Sequence, residues 1–230
     1  MNPSKIKIAV FGDSITWGYN PQNGLRYPNR AIGLLARHHP DWIFEEDELC
    51  GRLAYASDPC FEDLNGYHQI DRFLEQAAPY LILILQLGSN DARRMFHSSI
   101  TAWLADLELF IKKAVSRSKS HCPDAEILLV SAPLPYPDLN RIASRMEYSC
   151  QFGSSGTEIL KQASALEEKL AIRYGLAFLD CSKEGITGGD FDGIHPDEKM
   201  QERFAAVLNQ KLESLIRKEE EIGKKEDNER

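Results

Sequence analysis

The chain reads as an α/β protein: a central, mainly parallel five-stranded sheet with helices on both faces. Two observations predict this. Short runs rich in Val, Ile and Leu alternate with segments of helical periodicity along the whole chain, the pattern of successive βαβ units. The residues with chemical potential also follow the strand runs rather than precede them, and open parallel sheets gather their ligands beyond the carboxyl ends of their strands. At 230 residues the chain can bury one substantial core, so one domain over residues 1–216 is expected, followed by a charged tail over 217–230.

The first strand spans Lys5 to Phe11 and runs into Gly12-Asp13-Ser14, a tight turn. Helical spacing follows from Leu25 to His39 and stops before Pro40. Trp42 to Leu49 is a second strand whose acidic residues suit an edge position. Gly51 to Gly66 has no clear period and is long for a plain connection, which marks it as a binding or lid loop. Tyr67 to Ala77 reads as a short helix, and Tyr80 to Leu87 as a deeply buried strand ending at Gly88-Ser89-Asn90-Asp91. Then come a helix from Ile100 to Ser118, a strand from Ala125 to Ser131, a helix from Thr157 to Tyr174 and a last strand from Leu176 to Asp180. An amphipathic helix from Pro196 to Ile216 closes the domain, with proline in the first turn where a missing N–H costs little. The tail mixes Lys, Glu and Asp without an apolar stripe and reads as a frayed helix extension or disorder.

A net charge of −8 argues against nucleic acid as a partner, because phosphate binding needs a clustered basic face. The apolar run near the start, Ile6 to Phe11, is too short for a signal-peptide core or a membrane span, so a cytoplasmic protein without a membrane partner is expected. Five cysteines, an odd number with no Cys-x-x-Cys pair, predict reduced thiols and neither a disulfide framework nor a zinc knuckle. His38, His39, His68, His97 and His121 lack partners at metal-ligand spacing and are expected at the surface; no metal or cofactor is anticipated.

Four sites stand on the predicted carboxyl edge: Gly12-Asp13-Ser14, Gly51, Gly88-Ser89-Asn90-Asp91 and Asp192-Gly193-Ile194-His195. A serine hydroxyl becomes a useful nucleophile only when a base takes its proton, and an imidazole does this once its other ring nitrogen is held. Ser14 and His195 suit these roles, and Asp192, three residues before His195, can reach its Nδ1 side. The oxyanion of the tetrahedral intermediate needs donors fixed in advance. The backbone N–H groups of Ser14 and Gly51 and the side-chain amide of Asn90 are the candidates. Each motif alone is also a plain turn or helix cap; their joint occurrence in order along one edge is what points to catalysis.

Together the four blocks resemble those of the SGNH/GDSL hydrolases over about residues 5 to 216. Gly12 to Gly18, Glu48-Leu49-Cys50-Gly51-Arg52 and Leu64-Asn65-Gly66 resemble the arylesterase and acyltransferase branch, some of whose members also perform perhydrolysis. The resemblance implies a three-layer, flavodoxin-like αβα sandwich, no metal, action on short acyl esters and a homo-oligomer whose contacts narrow the pocket. Leu53 stands where that branch often has threonine, and Gly51 where acyltransferases can carry alanine.

Trp17, Leu134, Phe152 and Ile194 are candidate pocket walls by their nearness to the same edge, with core packing as the competing reading. Asp13 is expected to order the turn around Ser14, and Asp91 to be structural. The expected substrate is a small-molecule ester with a small acyl group. The same triad also serves lysophospholipases, thioesterases and sugar deacetylases. A non-catalytic module that binds acylated ligands is the alternative from another class.

Overall fold

The computed structural model describes residues 5–96 and 99–228. Five strands form one sheet in the order β2-β1-β3-β4-β5: β1 Ile6–Gly12, β2 Trp42–Glu48, β3 Ile82–Gln86, β4 Glu126–Val130 and β5 Ala177–Leu179. Every neighbouring pair is parallel. The acidic β2 takes an edge, where half of its residues can reach water.

Side chains alternate across a strand, and this sorts the apolar runs into two cores. Ala9 and Phe11, Leu83 and Leu85, and Ile127 and Leu129 point to one face, where α3 (Gly66–Ala77), α4 (Ile100–His121) and α6 (Gly153–Tyr174) cover them. Ile8 and Val10, Ile82 and Ile84, and Leu128 and Val130 point to the other, under α1 (Ser14–Trp17), α2 (Ala31–His38) and α7 (Glu198–Asn228). Three layers result. The strand order reverses between β1 and β3, and such a switch point opens a crevice at the carboxyl ends of those two strands.

Local chemistry moves several boundaries from their expected places. The helix expected from Leu25 starts at Ala31, because residues 19–30 make other bonds. Asn20 and Asn23 accept from the backbone N–H groups of Gln22 and Leu25 at 2.9 Å each, and Pro28 has no N–H to give a helix. A short helix escapes the periodicity: α5, Arg145–Gln151, buries one residue, Tyr148, and abuts α6 through Gly153, whose φ is +57°. α7 begins after Pro196, with the Asp197 carboxylate accepting from Met200 N–H at 2.8 Å as its cap. It also runs on through residues 217–228, supported at its start by Arg217–Glu213 and Lys218–Glu126 ion pairs.

The loop from Gly51 to Gly66 is pinned rather than loose. The Asp91 carboxylate accepts from the backbone N–H groups of Ala54, Tyr55 and Ala56 at 2.7 to 3.3 Å, and the Asn65 amide donates to the carbonyls of Tyr55 and Ala56. This loop therefore forms a fixed wall.

His38 and His68 are exposed as expected. His39 is not a plain surface residue: it stacks on Trp42 at 3.8 Å and bonds Asn209 at 2.6 Å. His97 lies outside the described residues. All five cysteines are free thiols. Among the described residues no helix is long and apolar enough to cross a membrane, and no group of three or more His, Cys, Asp or Glu is placed to hold a metal ion.

Candidate active site

β1 ends at Gly12, whose lack of a side chain is needed here: a Cβ would stand 2.1 Å from Thr16 Oγ1. The chain turns into α1 with Asp13 as its cap, the carboxylate accepting from Ile15 N–H at 2.9 Å. This puts Ser14 at the N-terminus of α1, nearly buried but with its hydroxyl on a cavity wall. From the far end of the chain, the loop after β5 brings in Asp192 and His195. Gly193 holds a φ of +83°, a left-handed turn that a side chain would resist. The Asp192 Oδ1 accepts from the backbone N–H groups of Ile194 and His195 at 3.0 Å each, so the carboxylate is fixed before it meets the ring.

The three side chains form a continuous relay. His195 Nδ1 lies 2.6 Å from Asp192 Oδ2 and His195 Nε2 lies 2.8 Å from Ser14 Oγ. A carboxylate only accepts, so Nδ1 carries the proton and Nε2 presents its lone pair to the Ser14 hydroxyl. Burial pushes the Asp192 carboxyl up, but the hydrogen bond from His195, the attraction of its imidazolium form and the two backbone donors outweigh it and hold the group below the usual carboxylate value. It is an anion wherever the protein is folded near neutral pH.

Asn90 follows β3 on the other side of the crevice. Its amide donates to the Arg52 carbonyl at 3.1 Å and faces Asp13 Oδ2 at 3.4 Å. The second contact is long for a hydrogen bond, so that amide proton is only weakly held. Asp13 also accepts from Ser89 Oγ at 2.6 Å. Its fully buried carboxyl is raised above the usual value chiefly by loss of solvent. Gly51, with φ of +85°, lines the same cavity.

The cavity has a volume of about 490 Å³, within the range of small-molecule sites. Ser14, Gly51, Asn90, Asp192 and His195 all border it, as do Phe152 and Ile194. Two expected wall residues do not. Trp17 turns away, its ring lying under the Arg26 guanidinium at 5.3 Å. Leu134 pairs with Thr187 as a short parallel bridge, its carbonyl accepting from Gly188 N–H at 2.8 Å; this holds the loop before His195 instead of facing the cavity.

Three residues had no role assigned from sequence. Tyr19 lines the cavity with its ring 4.7 Å from the His195 imidazole, restricting the ring's swing. Arg93 follows the turn that presents Asn90 and also lines the cavity. Arg52, only 2 % exposed, lies over the Phe11 ring at 4.1 Å and donates to the Gly12 carbonyl at 3.1 Å and the Asp47 carboxylate at 2.6 Å. It ties the end of β1 to the Gly51 loop. Its place beside Gly51 in the second block was the available signal; Tyr19 offered none.

The fold recurs in solved structures. A carbohydrate acetylesterase from Sinorhizobium meliloti is 25 % identical, with a TM-score of 0.78 over 92 % of this chain and 100 % of that one. An aryl esterase of M. smegmatis is 23 % identical, with a TM-score of 0.74 over 91 % of this chain and 99 % of that one. A lipase/acylhydrolase from Enterococcus faecalis is 18 % identical, with a TM-score of 0.64 over 91 % and 96 % of the two chains. A search among curated proteins finds no match. Residues 10–203, which run from within β1 past His195, match the family signature as a unit. The chain is thus an ester-bond hydrolase that belongs to the GDSL-like lipase/acylhydrolase family.

Proposed function

We propose that the protein is a serine esterase for carboxylic esters with small acyl groups, with Ser14 as nucleophile, His195 as general base and acid, and Asp192 as the group that orients and stabilises the imidazolium. The relay of 2.8 and 2.6 Å at the cavity wall carries this reading. As Ser14 Oγ bonds to the ester carbonyl carbon, its proton passes to His195 Nε2. The oxyanion faces the backbone N–H groups of Ser14 and Gly51 and the Asn90 amide, whose proton toward Asp13 is weakly held and can turn to it. Collapse breaks the bond to the alcohol, which leaves with the proton from His195. Water then attacks the acyl-serine, gives a proton to His195, and releases the acid as Ser14 takes that proton back.

The likeness to a carbohydrate acetylesterase at 25 % identity favours a second substrate within the same chemistry, an acetyl group on a sugar hydroxyl. Acyl transfer to an alcohol other than water uses the same intermediate. A homo-oligomer in the cytoplasm belongs to the proposal too, and Phe61, on the cavity wall yet 63 % exposed, supports a partner surface at the mouth.

The test is hydrolysis of p-nitrophenyl esters from acetate to decanoate by the native protein and Ser14→Ala, with acetate release from acetylated sugars alongside. The expected result is activity that falls with chain length and is lost in the variant. Activity peaking at long chains moves the substrate to lipid esters. No activity, and no covalent labelling of Ser14 by an organophosphonate, leaves a binding module.

A further inference from the structure

We propose that Arg93 makes this cavity a site for esters that also carry a carboxylate, its guanidinium binding that group while Ser14 acts on the ester bond. The inference rests on the serine esterase reading and adds the substrate class.

Arg93 leaves the turn that presents Asn90, its backbone N–H donating to the Asn90 carbonyl at 3.1 Å. Arg93 borders the same cavity as Ser14 and His195, and it is the one Lys or Arg among the described lining residues. Its Nε is sealed from solvent and has no hydrogen-bond partner among the described residues. Three carboxylates act on it through space, Asp13, Asp58 and Asp91, but each is engaged elsewhere. Asp13 receives Ser89 Oγ and Ile15 N–H, Asp91 receives the three N–H groups of the Gly51–Gly66 loop, and Asp58 receives Cys60 N–H at 2.8 Å. Glu147 and Asp58 also stand on the wall; Glu147 is exposed and solvated, and Asp58 is half-buried.

A guanidinium stays protonated in proteins, so partial burial without a partner is a standing cost that an anion in the cavity would relieve. Burial accordingly pulls Arg93 below the usual guanidinium value. Its planar fork of donors matches a carboxylate in two parallel hydrogen bonds, a geometry that a neutral ester cannot use as well. The carboxylate can sit on the acyl side, as in a half-ester of a dicarboxylic acid, or on the alcohol side, as in an acetylated hydroxy acid. Both present the same group to Arg93.

Matched pairs separate the two sources. The acyl pair is p-nitrophenyl hydrogen glutarate against p-nitrophenyl valerate; the alcohol pair is 4-acetoxybenzoate against its methyl ester. For each, the ratio of kcat/KM for the charged to the neutral ester is measured in native protein, Arg93→Lys and Arg93→Met, so that any general loss of activity divides out. At least one ratio should favour the charged ester in the native protein, fall by roughly tenfold to a hundredfold in Arg93→Met, and fall less in Arg93→Lys, which keeps the charge but not the two-pronged donor geometry. Glutarate and 4-hydroxybenzoate are also titrated by calorimetry into Ser14→Ala with and without Arg93→Met. At least one should bind about tenfold or more tightly when Arg93 is present. That binding difference, with no ester turned over, would sink the serine mechanism and leave the anion site standing. Ratios and affinities that ignore Arg93→Met would overturn the proposal.

Discussion

Glu167 lies on α6 behind the site, completely buried. One carboxyl oxygen accepts from Ala132 N–H at 3.2 Å, and the other has no hydrogen-bond partner among the described residues and stands 3.7 Å from where a Cβ on Gly88 would be, just before the turn that presents Asn90. Loss of solvent pushes this carboxyl from 4.5 up to about 8, with the nearby charges of Asp180 and Asp13 adding to it and the Ala132 bond opposing. A carboxyl raised on folding holds its proton in the native state while the unfolded chain has lost it. Stability is therefore full below about pH 4.5 and falls as pH rises, until the native group also ionises near pH 8. A shift of this size corresponds to about 5 kcal/mol at most, of which about 2 kcal/mol should be gone by pH 6 and the larger part by pH 9. Glu167→Gln keeps the shape of the protonated acid but cannot ionise. Urea unfolding of both proteins at pH 5, 7 and 9 measures the effect. The variant should be within about 1 kcal/mol of the native protein at pH 5 and several kcal/mol more stable at pH 9. Stability curves that run parallel from pH 5 to 9 would mean that Glu167 is paired or hydrated in solution, and the reasoning would fail.

Asp192→Asn keeps the shape of the relay but lets the amide donate, so His195 takes the wrong tautomer; kcat for p-nitrophenyl acetate should drop by roughly a thousandfold or more while circular dichroism shows the fold intact. Since its carboxyl is held below 3.8 in the native protein, the stability Asp192 contributes is present above that pH and should be lost only as pH falls through the lower folded value, which acid unfolding of the native protein and the variant will reveal. Arg52→Met takes a donor from the Gly12 carbonyl, which keeps Leu49 N–H at 3.2 Å, and a cation from the partly exposed Asp47 carboxylate, and should destabilise the fold by about 1 to 2 kcal/mol in urea. Gly12→Ala forces a Cβ against Thr16 and should move Ser14 off the relay, costing roughly a hundredfold in kcat, while circular dichroism shows the sheet intact.

How much of this could be read without coordinates depends on the range of the cause. The strands and the two-faced burial are set by composition over a few residues: Ile8 to Phe11 and Ile82 to Leu85 are apolar on both sides, so they can only be covered on both sides. The acidic β2 had to take an edge for the same reason. Helix ends were less legible where side chains compete locally, as Asn20, Asn23 and Pro28 do before α2. α5 was missed because seven residues bury too little to imprint a period.

For the site, the turn chemistry around Ser14, Asn90 and Asp192 is local, and the order of the four blocks was readable from the chain itself. That Ser14 and His195, 181 residues apart, stand 2.8 Å from each other follows only from the strand order, which brings the end of β1 and the loop after β5 to one edge. Direction was decided there too. Trp17 is three residues past Ser14 yet faces Arg26, and Leu134 turns into a bridge with Thr187, while Tyr19 and Arg93 point inward. Sequence by itself determined which residue types could do the chemistry, because hydrophobic periodicity and turn propensity act over neighbours. Which side chains share the cavity was left to the tertiary structure, because the orientation of a side chain beyond a strand end is fixed by contacts between segments far apart in the chain.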